Sequence, residues 1–237
     1  MKDVGRDTIK NRSSIIRSFF PGTGHSYDRV VHGFTLGLDY HWKRMLLRHI
    51  PKDSRRVLDL ACGTGIVTEG IAKRCPDADI VGVDITDDYL KIYERRIRSK
   101  NLRASFLLGN AEDVKLDGIF DAVISSYIPK YVDPEILLSN INPHLKSSGV
   151  IAVHDFYYPP NSVARAIWRK YNRAMNFVGM RFFPEWHEVF DGGLTSLIQS
   201  SNWFEKWQES LIRFEYEIKT AHLLSFGSSA IIVARKK

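Results

Sequence analysis

Cysteine is scarce in this chain: Cys62 and Cys75 are the two among 237 residues, too few for a disulfide framework or a four-cysteine zinc site. No set of metal ligands is expected. Long apolar runs are also missing, since no stretch approaches the roughly 20 residues that cross a bilayer. The first twelve residues are charged and lead into no apolar core, so a secretion signal is not expected. These absences together point to a reducing, cytoplasmic setting. Low-complexity tracts, internal repeats and obvious linkers are lacking too, which argues against disorder and against a repeat architecture.

What is present is a globular composition, 44% hydrophobic and 26% charged, in a chain long enough for one generous α/β domain. The formal net charge is +7. Such a surplus favours anionic partners (RNA, anionic lipid or an acidic substrate) or simply a basic solvated surface. The clusters Arg95-Arg96-Ile97-Arg98 and Arg235-Lys236-Lys237 lack the interleaved aromatics of a platform for single-stranded nucleic acid.

Four stretches follow from patterning. Residues 1–50 read as a helical preface, with Trp42, Met45, Leu46, Leu47 and Ile50 at helical spacing. Residues 55–155 alternate short apolar strands with helices, the signature of a doubly wound, mostly parallel sheet. Thr86 is placed to cap one of these helices, and Asp133-Pro134-Glu135 reads as a helix start. Residues 156–205 are aromatic, basic and helical in character, like an insertion. Residues 206–237 hold two strand-like runs, Ser210–Ile218 and Ser229–Ala234, expected to pair as an antiparallel hairpin.

The motif with most chemical content is Val57-Leu58-Asp59-Leu60-Ala61-Cys62-Gly63-Thr64-Gly65. It is a strand that ends in a carboxylate and enters a glycine loop before a helix. Gly63 and Gly65 allow close backbone approach to a ligand, at the strand ends where open α/β sheets bind. A dinucleotide site requires a third glycine, and Thr68 stands there instead; no Gly-Lys-Ser/Thr follows, which removes the P-loop. Asp84, closing the second strand, suits ribose hydroxyls in either nucleotide-binding class. Asn110-Ala111-Glu112-Asp113 follows the third strand, where polar groups can read an adenine edge.

Val57–Gly65, Val81–Asp84, Asn110–Asp113, Phe120–Ser125 and His144–Val153 together resemble the consecutive motifs of class I S-adenosylmethionine-dependent methyltransferases. The resemblance implies a Rossmann-like sheet of seven strands with the last inserted antiparallel, and S-adenosyl-L-methionine as cofactor. Carried over by position, it implies that Asp59, Ala61, Gly63 and Gly65 line the methionine end, Asp84 holds the ribose and Ile85 flanks the adenine. Asn110, Ala111 and Glu112 would meet the adenine, Ser126 would border the methionine side, and Tyr27 would close the site. Ala61 departs from the glycine common at that place, and Ser147-Ser148-Gly149 departs from the usual proline-glycine-glycine turn.

The flanks resemble the ubiquinone/menaquinone biosynthesis C-methyltransferases. Tyr27-Asp28 precedes a helix with Trp42-Lys43-Arg44, and His154-Asp155-Phe156-Tyr157-Tyr158-Pro159 follows the fifth strand. Lys130-Tyr131 stands where that family usually carries Arg-Asn, a difference that bears on acceptor recognition because lysine cannot reproduce a planar guanidinium. The resemblance implies a quinol or phenolic ring as methyl acceptor; such a reaction calls for a nearby cation or base to promote the phenolate, and Lys130, His154, Asp155, Tyr157 and Arg169 are the candidate catalytic groups. A core histidine is an equal reading of His154, and Tyr157, Tyr158, Phe177, Phe182 and Phe183 read as core aromatics. The expected partners are a small-molecule acceptor, with a membrane-borne quinol among the candidates, peripheral contact with the inner face of the membrane, and a homodimer. RNA is not the expected acceptor, because no RNA-binding module is appended and no Asn/Asp-Pro-Pro-Tyr follows the fourth strand. Another phenol, an amine or a sterol remains the competing acceptor class.

Overall fold

The computed structural model describes residues 19–237; residues 1–18, the first part of the expected helical preface, lie outside it. Two helices open the described chain, α1 (Tyr27–Phe34) and α2 (Leu38–Leu47). The core then alternates β1 (Arg56–Leu60), α3 (Ile66–Arg74), β2 (Asp79–Asp84), α4 (Asp87–Ser99), β3 (Ala104–Leu108), β4 (Phe120–Ser126), α5 (Pro134–Ile141) and β5 (Leu145–Phe156). The insertion supplies α6 (Ser162–Phe182) and α7 (Leu194–Ser200), and α8 (Trp203–Arg213), β6 (Tyr216–Leu224) and β7 (Ser229–Lys236) end the chain.

The seven strands form one sheet in the order β3-β2-β1-β4-β5-β7-β6, with β7 antiparallel to both its neighbours. This is the doubly wound, Rossmann-like sheet expected from the alternation. Period-two alternation sends successive residues to opposite faces: Val57, Ala122 and Ile124 pack with Trp42, Leu46 and Ile71 on one side, whereas Leu58 and Val123 pack with Leu137, Trp207 and Leu211 on the other. The strand order reverses between β1 and β4, and a crevice opens there at the carboxyl ends.

The terminal hairpin begins later than residue 206. Residues from Ser210 to Arg213, expected as strand, complete helix α8, and β6 starts at Tyr216 after Glu215 turns the chain with φ +63°. Trp203, Trp207, Ser210 and Leu211 fall on one buried helical stripe, and its packing under the sheet overrides the local strand-like composition. At the start of α5 the Asp133 side chain accepts from the Glu135 and Ile136 amides, as the Asp-Pro-Glu triplet predicts. Thr86 occupies the cap position of α4 without a side-chain capping bond. Among the described residues no helix is long and apolar enough to cross a membrane.

A further apolar cluster sits over the carboxyl ends of the strands. Phe19 and Val30 from the N-terminal segment meet Tyr131, Trp186, Val189 and Phe190, with Phe20, Tyr27, Phe34 and Leu194 packed against them. The preface and the insertion are therefore joined above the crevice.

Candidate functional site

The loop after β1 is held open by unusual backbone. Ala61, Gly63 and Gly65 all have positive φ, at +54°, +55° and +88°. Such angles are open to glycine and costly for alanine, and strain of this kind collects where a backbone cradles a ligand. The cradle is fastened by Asp84 at the end of β2: its Oδ2 accepts from the Gly63 amide at 2.8 Å and its Oδ1 from the Thr86 amide at 2.9 Å. Burial pushes the Asp84 pKa up, with these amide bonds opposing it.

Asp59 is buried at the end of β1. Its Oδ2 accepts from Thr68 Oγ1 at 2.6 Å, while Oδ1 has no hydrogen-bond partner among the described residues. Desolvation raises its pKa to about 7 against the opposing Thr68 bond. A buried carboxylate oxygen left without a donor is rare, because the uncompensated desolvation is expensive.

Ala61, Asp84, Ile85, Asn110, Ala111, Glu112 and Ser126 line one cleft at the switch point, and Lys130 lines it with them. Asp59, Gly63, Gly65 and Tyr27 stand beside the cleft and outside its lining. Asn110 Oδ1 accepts from the Glu112 amide at 3.1 Å, and Glu112 Oε1 accepts from the Asp133 amide at 2.7 Å, so this polar corner is pre-set by its own loop. Tyr27 stacks on Trp186 with ring centres 5.8 Å apart and tilts against Tyr89 at 5.0 Å.

The Tyr-Asp pair of the preface acquires a physical meaning. Asp28 accepts from Thr64 Oγ1 at 2.6 Å and from Arg96 at 2.6 Å, so α1 is tied directly to the glycine loop and to α4.

The candidate catalytic residues divide. Lys130 and Asp155 form an ion pair at 2.6 Å with side chains 2% and 0% exposed. Asp155 also accepts from the Lys130 amide at 3.1 Å and the Phe156 amide at 2.7 Å, and the ammonium stands 4.3 Å from the Tyr131 ring centre. Burial pulls the Lys130 pKa down, with the Asp155 charge opposing it.

His154 is buried next door with both ring nitrogens engaged: Nδ1 to Ser126 Oγ at 3.0 Å and Nε2 to Ser229 Oγ at 2.7 Å. Since Ser229 Oγ donates to the Asp155 carbonyl, it accepts from His154, which assigns the ring proton to Nε2. Burial holds the His154 pKa well below the ordinary histidine value, so the ring is neutral. Tyr157 and Arg169 stand apart. The Tyr157 hydroxyl donates to Glu205 at 2.5 Å, and exposed Arg169 donates to Tyr158 at 3.1 Å; neither lines the cleft.

Sequence reasoning passed over a second buried group. Tyr127, with φ +77°, leaves β4 in a strained turn, stacks on Phe156 at 4.7 Å and donates to Asp39 Oδ1 at 2.5 Å. Lys43 reaches the same carboxylate at 3.1 Å. The i, i+4 spacing of Asp39 and Lys43 was legible; the partner from the far end of β4 was not.

Next to the cleft lies a chamber of about 790 Å³ walled by Phe34, Leu38, Trp42, Ile167, Trp168 and Met175 among others. Val31, Phe156, Trp186, Val189 and Leu194 line both spaces, so the two adjoin. A switch-point cleft with a positive-φ cradle beside a large apolar chamber is a two-substrate arrangement.

The methyltransferase domain family matches residues 57–149, which hold the loop, Asp84 and the polar corner after β3. The protein is an S-adenosylmethionine-dependent methyltransferase. It is 28% identical over 222 residues to the demethylmenaquinone methyltransferase of Thermus thermophilus, covering 87% of this chain and 94% of that protein. It is 29% identical to the ubiquinone/menaquinone biosynthesis C-methyltransferase UbiE of Citrifermentans bemidjiense, covering 69% of this chain and 72% of that protein. Among solved structures, the geranyl diphosphate C-methyltransferase of Streptomyces coelicolor A3(2), in complex with S-adenosyl-L-homocysteine, superposes with a TM-score of 0.61 at 16% identity, covering 84% of this chain and 80% of that one. At that identity the superposition speaks to the fold of the methyltransferase, which the two share.

Proposed function

We propose that the methyltransferase C-methylates the ring of a quinol of the demethylmenaquinol type, with a polyprenyl tail lying in the apolar chamber. The observation that carries this reading is the chamber itself: about 790 Å³ of apolar space sharing a wall with the cleft in which Lys130 stands. Two relatives bear names that specify menaquinone chemistry, which agrees with it.

The residues present fit the cofactor. The donorless Oδ1 of Asp59 suits the ammonium of its amino-acid end, and the positive-φ backbone at Ala61, Gly63 and Gly65 leaves room for close approach. Asp84 would hold the ribose hydroxyls, Ile85 and Ala111 the adenine faces, Asn110 and Glu112 its polar edge, and Ser126 the methionine side. When bound, S-adenosylmethionine supplies an electrophilic methyl group.

What the chain adds is placement and charge. A hydroxylated ring becomes a competent carbon nucleophile as its phenolate, and the Lys130 ammonium is the cation that can hold that oxygen in a dry site. Asp155 keeps the ammonium in position. His154, with both nitrogens occupied, fixes Ser126 and Ser229 and takes no proton from the ring, so the phenol proton and the ring-carbon proton displaced by the methyl group both leave to solvent or buffer. Tyr157 and Arg169, away from both spaces, have no part in this scheme. Holding the two reactants in line supplies much of the acceleration.

Incubation of the enzyme with S-adenosylmethionine and a chemically reduced demethylated naphthoquinol tests the proposal, with phenols, amines, sterols and RNA in parallel. The expected product is a ring-methylated quinol, identified by mass spectrometry. Transfer to one of the other acceptors with the quinol left unchanged overturns it.

The Asp59 assignment carries its own pH signature. With a free-enzyme pKa of about 7, binding a cation to the carboxylate requires loss of a proton below that pH and none above it. Cofactor affinity should therefore rise with pH, gaining roughly tenfold per unit below 7, and flatten above it until the cofactor's α-ammonium loses its own proton at about pH 8. In Asp59→Asn the slope should vanish. Calorimetry across pH 5.5 to 8.5, on the order of three units, reads it directly, and an equal slope in the variant removes the assignment.

A further inference from the structure

The mouth of the apolar chamber is built from three elements that each expose a large apolar side chain. Leu36 in the turn between α1 and α2 is 74% exposed, and Phe226 at the tip between β6 and β7 is 95% exposed. Both hold the left-handed backbone region, at φ +51° and +57°. Leucine and phenylalanine are poor occupants of such angles, and both are poorly placed in water, so each tip is unfavourable on two counts in the isolated molecule. The third element is α6, which presents Val163, Ile167 and Phe177 along one exposed stripe at helical spacing. Sequence reading had placed Phe177 and Phe182 in the core; they are 72% and 67% exposed.

Hydrogen bonds tie these elements to one another. Trp42 Nε1 donates to Ser225 Oγ at 2.9 Å, joining α2 to the hairpin tip, and the Tyr171 hydroxyl donates to the Phe34 carbonyl at 2.8 Å, joining α6 to the other tip. Charge gives the rim its sign. Helix α6 carries Arg165, Arg169, Lys170, Arg173 and Arg181 and not one aspartate or glutamate. A helix of this kind, whose exposed face mixes apolar side chains with cations, suits the headgroup region of an anionic bilayer.

We propose that this rim docks the enzyme onto an anionic lipid bilayer, with Leu36, Ile167 and Phe226 entering the headgroup boundary and the chamber mouth opening into the lipid. The inference deepens the acceptor reading, since a polyprenyl chain would then pass from bilayer to chamber without crossing water. Apolar side chains supply depth, and Lys170 and Arg173 supply preference for anionic lipid.

Sedimentation of the whole enzyme with vesicles of phosphatidylcholine, with and without phosphatidylglycerol, tests the docking without any acceptor. Binding should rise with the anionic fraction and fall with salt. Lys170→Gln and Arg173→Gln should each weaken it roughly fivefold. Phe226→Asp should reduce it further while cofactor binding persists, which certifies the fold. Equal binding to neutral vesicles, or binding indifferent to all three substitutions, overturns the proposal. So does vesicle-free dimerisation that Phe226→Asp abolishes, which gives the face to a second copy of the chain.

The two readings fail separately. Lys170→Gln/Arg173→Gln should turn over a short-chain, water-soluble quinol at the wild-type rate. In the unsubstituted enzyme, intact turnover without vesicle binding sinks the docking alone. Vesicle binding without methylation of any quinol sinks the acceptor alone.

Discussion

Replacing Asp84 by alanine is expected to weaken S-adenosylmethionine binding by roughly a hundredfold, and to cost the fold far less. The carboxylate performs two tasks at one point. It accepts from the Gly63 and Thr86 amides at 2.8 and 2.9 Å, clamping the loops after β1 and β2 together, and it faces the cleft where ribose hydroxyls would bond. A hydrogen bond to a charged group contributes about 1.5–3 kcal/mol, and a tenfold change in affinity corresponds to about 1.4 kcal/mol. Losing the ribose contacts together with the clamp therefore amounts to at least two decades. The fold suffers less because burial raises the pKa of Asp84, meaning that its charge is held at a cost in the free enzyme. Asp84→Asn, which keeps one acceptor oxygen, should lie between. Calorimetry for the cofactor and a thermal melt without it separate the two effects. An affinity within a few fold of wild type would withdraw the ribose role, and a collapse of the melt would make Asp84 a structural residue first.

The parts of the fold that were legible are those where one local pattern has one physical meaning. Apolar strands of five to seven residues between helices specify a parallel sheet, and Asp59, Asp84 and Asn110–Asp113 fall at carboxyl ends of strands because the alternation puts them there. The helix α8 was misread because Ser210–Ile218 contains alternating apolar residues, while the stripe of Trp203, Trp207 and Leu211 that decides the matter only counts once it has a sheet to pack on. The same limit applies to the site. Lys130 and Asp155 are 25 residues apart and meet at 2.6 Å because β4 and β5 are neighbours, a pairing that topology makes available. Tyr127 reaching Asp39 spans 88 positions and two elements whose relative placement no spacing encodes. Tyr157, two residues after Asp155, leaves the site because Ser228 receives its amide, and its ring packs on Phe204 instead. Phe177 and Phe182 mark the opposite failure: composition assigns aromatics to the interior, and only the solvent around the outer face of α6 shows otherwise.

The buried pair itself yields the largest effect on stability. Asp155→Ala should destabilise the enzyme by about 3–5 kcal/mol, because it strands the Lys130 ammonium in a site from which water is excluded and also deprives the Lys130 and Phe156 amides of their acceptor. In a domain of this size that lowers the melting temperature by roughly 10 °C. Lys130→Met should cost less. Asp155 then retains both amide bonds, and its pKa, already raised by burial, lets it take a proton and shed its charge. The double variant Lys130→Met/Asp155→Asn should melt close to wild type, since it removes both desolvated charges at once with side chains of similar volume and keeps an amide oxygen at position 155 to accept from the backbone. Turnover should behave differently. All three variants should lose roughly 100-fold to 1,000-fold in kcat, the usual consequence of removing one preorganised charge from a developing anion, with the KM for cofactor little changed. A double variant that regains both stability and turnover would show that the ion pair serves the fold alone. Restored stability with turnover still absent is the result expected of an ammonium that holds the acceptor's oxygen and a carboxylate that holds the ammonium.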